Sequence, residues 1–136
     1  MKKKTVLVVI GVLSFIGLLF TACGNGANGD TFVPEGKWTF TDTNMSGTYS
    51  YELTFSGNTY KSEVLKTLPD PGYMEGYKGT FLYNTTTITF NQTHKSSNGI
   101  DWIPLSDTYT INYSCSGENL TFDYGDGDEE TYTKVD

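Results

Sequence analysis

Arginine is absent from this 136-residue chain, so all nine of its cationic side chains are lysine. Without arginine there is no planar fork to grip a phosphate or carboxylate with two parallel hydrogen bonds. Positive charge is scarce in total as well. Nine lysines stand against sixteen acidic residues, for a formal net charge of −7. A chain this acidic is repelled by nucleic acid and by anionic lipid headgroups, which excludes both as electrostatic partners. Histidine is nearly missing: His94 is the only one, so no metal site can be assembled from imidazoles. A nucleophilic triad would have to join His94 to Ser96 or Ser97, which stand beside it in a polar stretch without a nucleophile elbow. No enzyme is expected, and no cofactor. Beyond the N-terminal region no segment carries a helical period.

What is present begins with the N-terminus. Lys2, Lys3 and Lys4 precede an uncharged run from Thr5 to Phe20, and the small residues Thr21 and Ala22 lead into Cys23. A basic head, an apolar middle and a small-residue exit make a bacterial secretory signal. The apolar run is short for the ~20 residues of a membrane-spanning helix. Leu19-Phe20-Thr21-Ala22-Cys23 resembles the lipobox of bacterial lipoproteins, with Phe20 where that motif usually has Leu. The resemblance implies removal of residues 1–22 as a signal peptide and acylation of Cys23, palmitate being a suitable label. It also implies a lipid-anchored place in the bacterial cell envelope, at the outer membrane or cell surface. An ordinary cleaved signal or a single membrane anchor is the alternative. Loss of three lysines and no acidic residue with the signal leaves six lysines against sixteen acids, so the mature domain is more acidic still. The only other cysteine of the chain is Cys115. With Cys23 committed to lipid, Cys115 is expected as a buried, inert thiol.

Residues 23–35 are rich in Gly, Asn, Asp and Thr and read as a flexible tether. From Gly36 to Asp136 the pattern alternates with period two, in about eight strands. They are expected at Lys37–Thr41, Thr48–Phe55, Thr59–Lys66, Tyr77–Tyr83, Thr85–Asn91, Asp107–Cys115, Asn119–Tyr124 and Glu130–Val135. Pro69-Asp70-Pro71-Gly72 implies a loop over Thr67–Gly76, and His94–Ser106 is the longest irregular stretch. Phe55, Phe81, Ile88, Phe90, Ile111 and Phe122 fall on the inward face. Eight one-sided strands without a covering helix must fold on themselves, and closure into an antiparallel up-and-down barrel also removes the exposed edges. A sandwich would bury the same faces.

Gly36-Lys37-Trp38 opens the first strand, and glycine, any residue, tryptophan at that place resembles the N-terminal signature of the lipocalins and related calycin barrels. The resemblance implies that Trp38 plugs one barrel end beneath a cation from the last strand. Lys134 stands where lipocalins usually carry arginine, so Trp38 and Lys134 are expected to meet although far apart in sequence. It further implies a carrier or sensor of a small hydrophobic or amphipathic ligand, monomeric and membrane-attached through its lipid alone. The inward face is mostly tyrosine, and an eight-stranded interior either fills with side chains or holds one small ligand. In the ligand-holding form, Tyr51, Tyr77, Tyr83, Tyr109 and Tyr113 line a pocket, Gly79 leaves room in its wall, and Trp102 serves as a lid. In the filled form the domain is a surface interaction or adhesion module. The acidic turn Asp123–Glu130 is oxygen-rich like a calcium loop, but its spacing and strand flanks favour a solvated turn, so no metal is expected there.

Overall fold

A strand with one apolar face needs a cover, and here the cover is the opposite wall of the same sheet. The structure, a computed structural model, describes residues 34–135. The expected signal peptide, Cys23 and most of the tether lie outside the described residues, as does Asp136. Eight strands follow one another: β1 (Gly36–Asn44), β2 (Gly47–Ser56), β3 (Thr59–Leu68), β4 (Gly72–Tyr83), β5 (Thr87–Ser96), β6 (Ile103–Ser116), β7 (Asn119–Gly125) and β8 (Asp128–Val135). Each pairs antiparallel with the next, and β8 returns to β1, so the sheet is a closed barrel. The seam is narrow: Lys37, Trp38 and Thr39 pair with Val135, Lys134 and Thr133.

All eight expected strands are present, and two expected loops are much shorter than the sequence suggested. Gly72–Gly76 belongs to β4, pairing with β3 across a bulge at Val64/Leu65. Likewise β5 runs on to Ser96 and β6 begins at Ile103, with a bulge at Gln92/His94. A bulge inserts a residue and breaks the period of two, so a paired segment loses its alternating signature. It also lets Pro104, which has no N–H to give, sit opposite His94 in the ladder.

The two barrel ends differ. One carries the entry to β1 and the turns at residues 57–58, 84–86 and 117–118, and it is tied shut by backbone bonds. Phe81 N–H donates to Asn58 O, Tyr113 N–H to Thr86 O and Lys134 N–H to Glu118 O, at 3.0, 2.9 and 2.9 Å. Asn84 Oδ1 accepts from the N–H groups of Thr86 and Thr87. Gly57 and Gly117 take the left-handed backbone that these tight hairpins require. Behind this end Trp38, Phe55, Phe81, Ile88 and Leu120 are almost wholly buried. Phe90, Ile111 and Phe122 complete the expected core, and all three are buried. The opposite end carries the turns at residues 45–46, 69–71, 97–102 and 126–127, and its inward side chains are only half-buried. On the outer wall, threonines pair across strands through their hydroxyls, Thr89 with Thr110 at 2.8 Å and Thr121 with Thr131 at 2.9 Å.

Candidate functional site

At the closed end, Trp38 on β1 is fully buried and the Lys134 ammonium from β8 lies 5.6 Å from its ring centroid. The two are also direct partners in the strand register. An ammonium at that distance over an indole face is a cation–π contact. The Lys134 side chain occupies the space beside Gly36, where a Cβ would come within 3.1 Å of its Cε. Gly36, Trp38 and Lys134 therefore form one plug. The Trp38 indole N–H has no hydrogen-bond partner in it.

Above the plug the barrel is filled by the buried core, and beyond it lies a hollow. The hollow is a cavity of about 170 Å³. Leu53, Phe90, Ile111 and Phe122 give it an apolar floor, and Tyr60, Tyr77, Tyr109, Tyr124 and Tyr132 give it a phenolic wall. Tyr109 and Tyr124 are 41% and 54% exposed while lining it, so they stand at its mouth. Phe90 is the hub of the packing, with the rings of Tyr60 and Tyr109 at 4.7 and 5.2 Å.

Polar groups collect toward the mouth. Glu130 Oε2 accepts hydrogen bonds from the hydroxyls of Tyr124 and Tyr132, at 2.8 and 3.4 Å. Glu75 Oε2 accepts from Tyr77 at 3.2 Å. Burial, first, and these carboxylates, second, push the phenols of Tyr77, Tyr124 and Tyr132 above their ordinary range. Tyr51 is raised the same way, by burial and then by Asp42 and Glu130, with Tyr49 and Glu75 adding to it. Carboxylates from β1, β4 and β8 thus act on one hydroxyl on β2. Deeper in, Tyr60 is raised by burial above all, while Gln92 acts to favour its anion. Yet the Tyr60 hydroxyl makes no hydrogen bond of ordinary length and angle, although it is buried.

Of the expected ligand residues, Tyr77 and Tyr109 line the cavity. Tyr51 packs on Phe40 at 5.5 Å beside it. Tyr83 and Tyr113 belong to the closed end instead: Tyr83 stacks on Phe81, and the Tyr113 hydroxyl donates to Asn84 O at 2.5 Å. Alternation assigns a residue to a face but not to a height in the barrel. Trp102 is not a lid. Its ring lies 4.5 Å from the ammonium of Lys78, which is on the outer face of β4, next to inward Tyr77. The neighbouring Gly99 sits against the ring of Tyr73, and that ring in turn covers Gly76. The 97–102 loop therefore straps the outside of the wall. Nor does Gly79 open the cavity, since its missing Cβ would fall 1.9 Å from Asn91 O, where the β4–β5 pairing bulges. Glu75, Glu130 and Tyr60 are the functional candidates that sequence reasoning passed over. Glu130 was legible, two residues before inward Tyr132 on one strand.

His94 bonds through Nδ1 to the Thr93 hydroxyl at 3.0 Å. Ser96 is engaged in its own turn, donating to Asn98 Oδ1 and accepting from Gly99 N–H. Among the described residues no group of three or more His, Cys, Asp or Glu is placed to hold a metal ion. Cys115 corrects an expectation: it is half-buried against the core and disulfide-bonded, not an inert thiol. The one other cysteine of the chain is Cys23, which lies outside the described residues. No protein-family profile, curated protein or solved structure matches the chain.

Proposed function

We propose that this chain is a lipid-anchored protein of the bacterial cell envelope that binds one small amphipathic molecule, without covalent chemistry, in the open half of its barrel. The observation that carries the reading is the cavity of about 170 Å³ with its apolar floor and five-tyrosine wall. Its size decides the ligand class. A cavity of about 150 Å³ accommodates benzene, whereas drug-sized ligands occupy about 300–1,000 Å³. A molecule of about one ring fits, with a tail extending through the mouth, and a long acyl chain does not. Native mass spectrometry of the full chain after mild extraction should show a small bound mass. Ile111→Trp, which fills the cavity from its floor, should remove it. A bound mass retained in Ile111→Trp would place the ligand elsewhere.

Anchoring rests on the Leu19–Cys23 motif and carries a chemical condition. Cys23 has one sulfur, so acylation of its thiol and a bond to Cys115 exclude one another. Intact mass of the membrane-extracted chain separates the two states, and palmitate labelling lost in Cys23→Ser supports the anchor. A purely disulfide-bonded, unlabelled population contradicts it. The second reading, a surface interaction module, draws on apolar side chains on the outside, including Leu82, Ile100 and Ile103, which are 68%, 81% and 57% exposed.

A further inference from the structure

We propose that the ligand of the open half-barrel is a small organic monocation, a one-ring or similarly compact amine, held between tyrosine faces and the carboxylates of Glu130 and Glu75. The inference rests on the cavity being a ligand site and names the class of ligand. Three observations converge on it. First, Glu75 and Glu130, which do not themselves line the cavity but hydrogen-bond its wall tyrosines, lack a counter-ion among the described residues. Among the described residues the ion pairs are Lys37–Glu52 and Lys61–Glu63, and neither Glu75, Glu130, Asp42 nor Asp107 takes part in one. Lys95 lines a groove with Glu75 and Tyr77 without reaching ion-pair distance of any described carboxylate.

Second, the wall suits a cation. Phenol faces carry negative quadrupole charge and attract ammonium groups, most strongly where water is displaced. Tyr124 and Tyr132 both donate to Glu130, and Tyr77 donates to Glu75. Their hydroxyl protons are thereby turned onto the carboxylates, leaving oxygen lone pairs for a bound donor. An anionic ligand would meet the carboxylates across a mouth from which much of the screening water is excluded. A metal ion is a poorer fit, because the carboxylates come from strands around the rim and form no ligating cluster.

Third, the cavity wall holds a buried hydroxyl that lacks an ordinary hydrogen bond. Tyr60 is 3% exposed, and its hydroxyl, with Gln92 nearby, makes no hydrogen bond of ordinary length and angle. A buried hydroxyl left unpaired is unfavourable, and a ligand's polar group can relieve it. The ligand therefore has an amine at one end, an apolar body over Phe90, and room for a polar group beside Tyr60.

Calorimetry on the full chain in mild detergent, with three phenols of one size, tests this. Tyramine is a cation, tyrosol is neutral and para-hydroxyphenylacetate is an anion, while ring and hydroxyl are shared. Tyramine should bind at least about tenfold tighter than tyrosol, and the anion weakest. Glu130→Gln should bring tyramine down to the affinity of tyrosol for the same variant, and near-ultraviolet circular dichroism shows whether the variant is folded. Glu75→Gln serves the same purpose should Glu130→Gln fail to fold. Tyr60→Phe should weaken tyramine and tyrosol alike. Equal binding of tyramine and tyrosol, or tightest binding of the anion, overturns the cation assignment and leaves the cavity reading intact. No binding by any of the three overturns both.

Discussion

Replacing Phe90 by alanine removes the ring on which both the core and the cavity floor depend. Phe90 is 3% exposed and meets the rings of Phe55, Tyr60, Tyr109 and Phe122 at 6.2, 4.7, 5.2 and 6.2 Å. Truncating a core phenylalanine costs about 3–5 kcal/mol. Ring pairs add about 0.5–1.5 kcal/mol each beyond area, but four pairs lost with one side chain are not additive. One side of Phe90 already faces the cavity, where it has no atoms to lose contact with. That places the expectation at the lower end, about 3 kcal/mol. A domain of this size has about 5–15 kcal/mol in all and moves about 4–8 °C per kcal/mol. The melting temperature should therefore fall by roughly 12–24 °C, followed by near-ultraviolet circular dichroism. The enlarged cavity should then accept an added ring: phenol at about 100 times its Kd would restore about 2.7 kcal/mol. A fall of less than about 4 °C would mean that the ring is not packed as described.

Lys134→Met should cost about 0.5–2 kcal/mol and shift the Trp38 emission in a Trp102→Phe background; an unchanged spectrum contradicts the plug. Alkaline pH should act through the phenols. Burial raises Tyr60, Tyr124 and Tyr132 above their ordinary value of about 10. The folded state then keeps protons that the unfolded state releases, so stability is constant below about pH 10 and falls as pH rises beyond it. Part of the phenolate absorbance should appear only together with loss of structure, and ionisation of all ten tyrosines near pH 10 in an intact barrel would refute the burial. Gly79→Ala should destabilise by about 1–3 kcal/mol in urea melts, since its Cβ meets backbone rather than a yielding side chain; a neutral outcome means that the bulge shifts freely.

Much of the architecture could be read from period-two alternation alone. It separated Phe55, Phe81 and Phe122 from their outward neighbours, and the Gly36-Lys37-Trp38 opening pointed to closure through Lys134. What the pattern missed has one physical origin. Bulges at Val64/Leu65, Lys78/Gly79 and Gln92/His94 reset the alternation, so the extended β3–β4 and β5–β6 hairpins read as loops. Trp102 then read as a lid on a long loop, whereas the connection is short and packs against Lys78 and Tyr73 on the outer wall. Height along the barrel is likewise invisible to alternation, which is why Tyr83 and Tyr113 were grouped with Tyr77 and Tyr109. The convergence of Glu75 and Glu130 depends on strand tilt and closure, which no local pattern encodes.

The most direct test of the central claim is a chemical-shift map of the isotope-labelled full chain titrated with tyrosol, the neutral one-ring probe. Binding in the open half-barrel predicts saturable shifts at Tyr60, Phe90, Tyr109, Ile111 and Phe122, with Trp38 and Leu120 at the closed end unmoved. Shifts confined to the outer groove at Lys61, Lys78, Thr93 and His94, or none at all, would contradict it.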